Sequence, residues 1–86
     1  MRVSLPSPLH SYTGGVSHVE VTGGTLAEIV VALDARYPGL KFRIVDEQDR
    51  IRPHVRFFVG REMARDLSHP VGPNDAVKIV AALSGG

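Results

Sequence analysis

The chain has 86 residues, a length that fits one domain with a modest hydrophobic core. Ten basic and nine acidic side chains leave a net charge of +1, so there is no overall electrostatic reason to expect nucleic acid as a partner. Cysteine is absent from the sequence, which excludes disulfides, a thiolate nucleophile and a thiolate metal site.

The first predicted elements are two short strands. Val3 and Leu5 alternate with polar residues, and Pro6 then stops further strand pairing. Val19 and Val21 alternate with polar residues in the same way. The two strands are expected to form a hairpin with a long loop, in which a Thr-Gly-Gly sequence marks a turn.

One amphipathic helix follows the hairpin. Thr25 and Glu28 have the spacing of a capping box, in which each side chain bonds a backbone N–H at the helix start. Pro38 ends the helical pattern. The next segment, Leu40–Gln48, is compatible with a short second helix or with an irregular cover over the core. The apolar stripe predicted to face the sheet consists of Leu26, Ile29, Val30 and Leu33.

Two further strands complete the pattern, and a short edge segment around Met63 and Leu67 lies between them. Their inward residues are predicted to be Val55, Phe57 and Val59, and Val77, Ile79 and Ala81. Because the helix provides a crossover, we expect the first and last strands to be central, parallel neighbours. The sequence therefore predicts an α+β fold, a mixed sheet of four to five strands on one main helix. Residues 1–82 would form the domain and residues 83–86 a flexible Gly-Gly tail.

No self-contained active site is visible in the sequence. The four histidines lack the spacing of a zinc site, and we expect neither a bound metal nor a resident cofactor. The acidic run Asp46–Asp49 lacks the alternation and the glycine of a calcium loop, which indicates a solvated loop. The basic run Arg50–Arg56 leaves two alternatives open, a contact for phosphates or an acidic partner, and a solvated strand edge.

The order of elements, together with the terminal Gly85-Gly86, resembles the ubiquitin-like β-grasp sulfur carriers of the ThiS/MoaD type. The likeness covers nearly the whole chain and is strongest in residues 72–86, which combine an acidic turn, an alternating apolar strand and the Gly-Gly end. The long segment before the third strand resembles the molybdopterin synthase small subunit or the carrier that feeds sulfur to a cysteine synthase. Ala81-Ala82 stands where molybdopterin subunits tend to carry two prolines.

This resemblance implies a protein co-substrate and not an enzyme. An E1-like enzyme would use ATP to adenylate the Gly86 carboxylate, and sulfur would then displace AMP to leave a thiocarboxylate. Gly85 and Ser84 would give the tail access to a narrow cleft, because glycine lets a backbone pass where a Cβ would collide. A sulfur-accepting synthase is the second implied partner. The alternatives are a ubiquitin-like modifier that forms isopeptide bonds through Gly86, and an interaction module whose tail has no role.

A docking surface is expected beside the tail. Strand alternation places Phe58 and Val80 on the face away from the helix, where they would form an apolar patch unless the segment of residues 40–51 covers Phe58. Two cations of the same strands are expected at the rim of the patch. The full set of expected docking residues is Arg56, Phe58, Lys78, Val80, Ala82 and Leu83.

The sequence also carries expectations about location and assembly. It has neither the features of a signal peptide nor an apolar run long enough to cross a bilayer. We therefore expect a cytoplasmic protein that is a monomer when free and that does not bind a membrane.

Overall fold

The computed structural model describes residues 1–81. The predicted tail, residues 83–86, and Ala82 lie outside the described residues, so the domain boundary stays a prediction. Within residues 1–81 no helix is long and apolar enough to cross a membrane. The elements in chain order are β1 (Arg2–Ser4), a 3-10 helix (Ser7–Leu9), α1 (His10–Thr13), β2 (His18–Glu20), α2 (Leu26–Arg36), α3 (Leu40–Ile44), β3 (Val55–Val59), β4 (Glu62–Met63) and β5 (Val77–Ala81).

The strands form one mixed sheet in the order β2-β1-β5-β3-β4. β1 and β2 are an antiparallel hairpin, while β1 runs parallel to β5, with Val3 opposite Val77. β3 is antiparallel to both β5 and β4. The prediction of a central parallel pair is confirmed, because the chain between the two strands includes α2, which serves as the crossover. The α+β class and the single mixed sheet are confirmed with it.

The start of α2 differs in one detail from the capping box in the sequence. The Thr25 hydroxyl accepts a hydrogen bond from the Glu28 N–H at 3.3 Å, as predicted. The Glu28 carboxylate, however, accepts from the Gly24 N–H at 2.6 Å, one residue before the cap. The N–H groups of the first two helical residues donate to the carbonyls of His69 and Leu67 at 3.1 and 2.9 Å. The loop after β4 therefore satisfies donors that a helix start leaves open.

The core lies between α2 and the inner face of the sheet. All four residues of the predicted α2 stripe are buried, and so are alternate residues of β3 and β5. The segment that the sequence left open is a helix, α3, which packs against α2 and adds Leu40 and Ile44 to the core. The largest fully buried side chains are Phe57, Leu26, Ile29, Leu33, Leu40, Ile44, Ile79, Val3, Val30, Val45, Val55 and Val77.

The connection between β1 and β2 contains helical turns that the sequence pattern did not predict. A 3-10 helix and α1 occupy most of it, and Leu9 reaches the core from there. Gly14, at φ +68°, ends α1 in the left-handed conformation, and its N–H donates to the His10 carbonyl. Helices this short contain about one turn, so they leave no periodic signal in the sequence.

Candidate docking face beside the C-terminal strand

The last strand, β5, lies in the middle of the sheet between β1 and β3. The turn that precedes it is held by Asp75, whose carboxylate accepts from the Gly72 N–H at 2.7 Å and whose own N–H donates to the Gly72 carbonyl at 3.1 Å. A Cβ on Gly72 would lie 3.2 Å from the Asp75 carboxylate, so glycine suits this tight turn. β5 is therefore reached through a tight turn and ends, at Ala81, in the middle of the sheet.

β3 and β5 carry apolar side chains on both of their faces. Phe57 is fully buried, whereas its neighbour Phe58 points to the opposite face and is half-buried. On β5, Val80 is 36% exposed next to the buried Ile79. The segment of residues 40–51 packs into the core through Leu40, Ile44 and Val45, on the other side of the sheet from Phe58. The structure thus places Phe58 and Val80 on the outer face, as the alternation predicts, and their role in docking stays a prediction.

β4 adds an apolar side chain, Met63, to the outer face. The sequence predicts Met63 only as part of a short edge segment. Met63 lies directly opposite Phe58 in the antiparallel pair and is 56% exposed. Gly60, at φ +60°, makes the tight turn that fixes this register. Counting outward from that turn would have identified the pair. We call the three outer-face side chains, Phe58, Met63 and Val80, the outer patch.

The two cations expected at the rim differ in their surroundings. Lys78 is exposed and lies opposite Phe58, and it makes no ion pair with any of residues 1–81. Arg56 lies opposite Val80, but its guanidinium donates to the Pro53 carbonyl at 2.8 Å. Lys78 is therefore the better placed of the two to meet an acidic group on a partner.

A groove of about 370 Å³ adjoins the outer patch, between the end of β1 and β5. Pro6, Ser7 and Pro8 line one side of the groove. Lys78 and Val80 line the other side, and Val80 also belongs to the outer patch. Groove and patch therefore form one continuous surface beside the strand that leads to the end of the chain.

The residues expected to react, and those expected to connect them to the domain, lie outside the described residues. They are Ala82, Leu83, Ser84, Gly85 and Gly86. The attachment of sulfur at Gly86, the access that Ser84 and Gly85 would provide, and the docking roles of Ala82 and Leu83 stay predictions.

The basic run before β3 is bonded to its own chain. Arg50 donates through Nε to the Asp46 carboxylate at 3.3 Å. The Arg52 Nε donates to the Phe42 carbonyl at 2.8 Å, and its guanidinium carbon lies 4.9 Å from the centre of the Phe42 ring. With Arg56 bonded to the Pro53 carbonyl, three guanidinium groups are used to hold loops in place. The run therefore holds loops in place, and its contact with phosphates or an acidic partner stays a prediction.

The acidic loop is likewise held by local hydrogen bonds. The Asp46 carboxylate accepts from the backbone N–H groups of Gln48 and Arg50, each at 2.9 Å, and the bond from Arg50 is the main reason that the pKa of Asp46 lies below its ordinary value. In a second loop the Ser68 hydroxyl lowers the pKa of Asp66. Among residues 1–81 no group of three or more His, Cys, Asp or Glu side chains is arranged to hold a metal ion.

Comparisons with known proteins agree with this architecture over its full length. Residues 3–86 match the ThiS family. The sulfur carrier protein CysO of Mycobacterium tuberculosis (strain ATCC 25618 / H37Rv) is 33% identical over 89 residues, which cover 98% of this chain and 96% of the relative.

Solved structures with the same fold include two with at least 30% sequence identity. One is a chain of the Amycolatopsis orientalis BexX/CysO complex, with a TM-score of 0.91, 33% identity and coverage of 99% of this chain and 98% of that one. The other is Mycobacterium tuberculosis CysO, described as an antigen, with a TM-score of 0.89, 30% identity and coverage of 95% and 98%. The expected family and the ubiquitin-like β-grasp fold are confirmed.

Proposed function

Because the chain belongs to the ThiS family, we propose that it is a sulfur carrier whose Gly86 carboxylate is converted to a thiocarboxylate. The observation that carries the proposal is the extent of the similarity. The family match continues through residue 86, and the relative named as a sulfur carrier aligns with 98% of the chain. In this reaction the chain is a co-substrate, and the catalytic groups belong to its partners.

The chemistry requires activation because a carboxylate, with its delocalised charge, is a poor electrophile. In the proposed first step a Gly86 carboxylate oxygen attacks the α-phosphorus of ATP on an E1-like enzyme, and pyrophosphate leaves. In the second step hydrosulfide attacks the acyl carbon, AMP leaves with the electrons of the broken C–O bond, and the S–H proton passes to solvent. The product is the thiocarboxylate. ATP is a substrate of the enzyme, and the carrier itself holds no cofactor.

The outer patch is the surface that we assign to docking. It contains an aromatic side chain, Phe58, flanked by Met63, and it extends over the strand that leads to Gly86. Partly exposed aromatic side chains beside other apolar groups are typical binding hot spots. The patch consists of only three apolar side chains, which suits a complex that must dissociate after sulfur has been transferred.

Two partners would use this face in succession. The first is the E1-like enzyme, and the second is the synthase that accepts the sulfur. The sequence resembles the carriers linked to cysteine synthases, and its Ala81-Ala82 pair departs from the molybdopterin subunits. We therefore propose a cysteine-forming synthase as the acceptor.

The proposal is tested by the intact mass of the protein. The full chain is incubated with ATP, sodium hydrosulfide and the purified E1-like enzyme of the same organism. We expect the mass increase that corresponds to the replacement of one oxygen by one sulfur, and we expect no increase when ATP is omitted. A chain that lacks Gly86 is the matched control and should stay unmodified.

A full-length chain that keeps its original mass with an enzyme shown to be active would contradict the proposal. The same reaction in a cell extract also separates the carrier from the modifier alternative. Conjugates of higher mass, linked from Gly86 to lysines of other proteins and formed in place of the thiocarboxylate, would favour the modifier.

A further inference from the structure

The two central strands separate before β5 ends. β1 and β5 are paired at Val3–Val77 and Ser4–Lys78, and the ladder between them stops there. On its other side β5 stays paired with β3 as far as Ala81, which lies opposite Val55. The last three residues of β5 therefore have a neighbouring strand on one side only.

A proline explains why the pairing stops. The Leu5 N–H donates to the Ser17 carbonyl at 2.8 Å, so the backbone groups of Leu5 face β2. Since backbone groups alternate along a strand, those of Ser4 and Pro6 face β5. Pro6 has no N–H, so it cannot donate the next hydrogen bond of the ladder between β1 and β5.

The same alternation identifies the exposed backbone groups of β5. The Ala76 carbonyl accepts from the Gly60 N–H at 2.8 Å on the side of β3. The backbone groups of Ile79 and Ala81 consequently face the side of β1. Pro6 has no N–H to offer the Ile79 carbonyl, and its carbonyl accepts from the Leu9 N–H at 3.0 Å instead of from Ala81. Within residues 1–81 neither the Ile79 carbonyl nor the Ala81 N–H is bonded to the 6–8 segment.

The groove described above is the space left by this separation. It measures about 370 Å³ and lies along Lys78–Ala81. Its apolar side chains come from Pro6 and Pro8 on one side and from Val80 on the other, and Lys78 supplies one positive charge. The groove thus combines an open strand edge, apolar walls and a cation, and it continues into the outer patch through Val80.

We propose that this groove binds an extended segment of the activating enzyme, which pairs with the free edge of β5. The inference rests on the proposed function, because it names the partner that must hold the carrier while Gly86 reacts. The backbone of the segment bonds the Ile79 carbonyl and the Ala81 N–H, as in other cases of strand addition. One of its apolar side chains packs between Pro6 and Val80, and an acidic side chain pairs with Lys78.

Two measurements on the full chain and the purified E1-like enzyme test this binding mode. In the first, amide hydrogen exchange at Ala81 is compared in the free carrier and in the complex, and we expect exchange to slow by about tenfold or more on binding. In the second, calorimetric titration compares Ser7→Trp, which places a large ring in the groove, with Thr22→Trp, an exposed position outside it. We expect the first variant to bind about tenfold more weakly and the second to bind like wild type.

The outcomes separate this inference from the proposed function. If wild type gains sulfur while Ala81 exchange is unchanged and both tryptophan variants bind equally well, the groove inference is wrong and the carrier function stands. If wild type neither binds the enzyme nor gains sulfur, both are wrong. In the absence of enzyme, exchange at Ala81 could become slower as the carrier concentration rises. That result would assign the groove to a second copy of the chain and would overturn the inference. Unchanged exchange at Ala81 in the wild-type complex would overturn the inference even if Ser7→Trp folds poorly.

Discussion

Phe57 and Phe58 are adjacent in β3, yet they lie in two different environments. Phe57 points toward α2 and is fully buried, whereas Phe58 points away from the core and lies beside Lys78 and Met63. The same division continues on β5, where Ile79 is buried and the next residue, Val80, is partly exposed. One face of the sheet therefore stabilises the fold, and the other offers apolar surface that folding does not use. The proposed function would use both faces, because the domain would have to stay folded while two partners bind and leave in turn.

The largest expected effect concerns neither face but the end of the chain. Replacement of Gly85 by Leu should abolish sulfur loading, because a branched side chain next to the reacting carboxylate would collide with a narrow cleft. The free energy of unfolding should be unchanged. Intact mass after the loading reaction and a denaturant melt measure the two effects. Gly85→Ala is a control with a side chain of intermediate size, and its rate of sulfur loading should lie between the rates of wild type and Gly85→Leu. Loading of Gly85→Leu at the wild-type rate would show that the tail does not enter a narrow site.

The inner face should respond next most strongly, in stability. Leu33→Ala removes a fully buried side chain between α2 and the sheet, and we expect a loss of about 2–5 kcal/mol in the free energy of unfolding. Val31→Ala on the same helix is the matched control, because Val31 is 59% exposed and should change stability by less than about 0.5 kcal/mol. Urea unfolding of the two variants makes the comparison. Similar losses for both would mean that the stripe of α2 does not form the core.

The charged rim of the outer face should affect the rate of association more than stability. Lys78→Ala should slow binding to the activating enzyme by about threefold at low salt, and by less at high salt, because steering by an exposed charge is screened. Arg56→Ala should have a smaller effect, since its guanidinium is already bonded to the Pro53 carbonyl. Stopped-flow binding at two salt concentrations measures both. A larger effect of Arg56→Ala would mean that this side chain leaves its loop to meet the partner.

The smallest expected effect is a pH dependence that belongs to the loops rather than to either face. The pKa of Asp46 in the folded chain lies below the ordinary value of 3.8, so its hydrogen bonds contribute stability above that pH, and the contribution is lost as the pH falls through the folded pKa. Asp46→Asn should therefore be less stable than wild type at neutral pH, and the difference should shrink in acid. Urea unfolding at neutral pH and in acid tests this, with Glu47→Gln in the same loop as the control. A difference that grew in acid would reverse the sign of the linkage.

Much of the fold follows from local patterns in the sequence. The alternation in β3 and β5 and the cap at Thr25 are local signals, and they located the strands, α2 and the buried stripe. The crossover rule then placed β1 beside β5. The outward orientation of Phe58 required only that its neighbour Phe57 be buried.

Other features depend on how separate elements pair and pack. Met63 joins the outer patch because β4 pairs with β3 across the Gly60 turn. The alternation within either strand alone does not give this register. The groove exists because Pro6 falls opposite β5, which is evident only when the register of β1 against β5 is known. Arg52 donates to the carbonyl of Phe42, ten residues earlier. The sequence shows that this run is basic, but not that its guanidinium groups bond to the chain itself.

The division between the two faces is tested most directly by alanine at the two adjacent phenylalanines, with stability and affinity measured on each variant. We predict that Phe57→Ala lowers the free energy of unfolding by about 3–5 kcal/mol. Phe58→Ala should leave the unfolding curve close to that of wild type and weaken binding to the activating enzyme or the sulfur acceptor by about 1–3 kcal/mol in calorimetric titration. If Phe58→Ala unfolds the domain and leaves the affinity of the folded fraction unchanged, Phe58 belongs to the core and the outer face is not the docking surface.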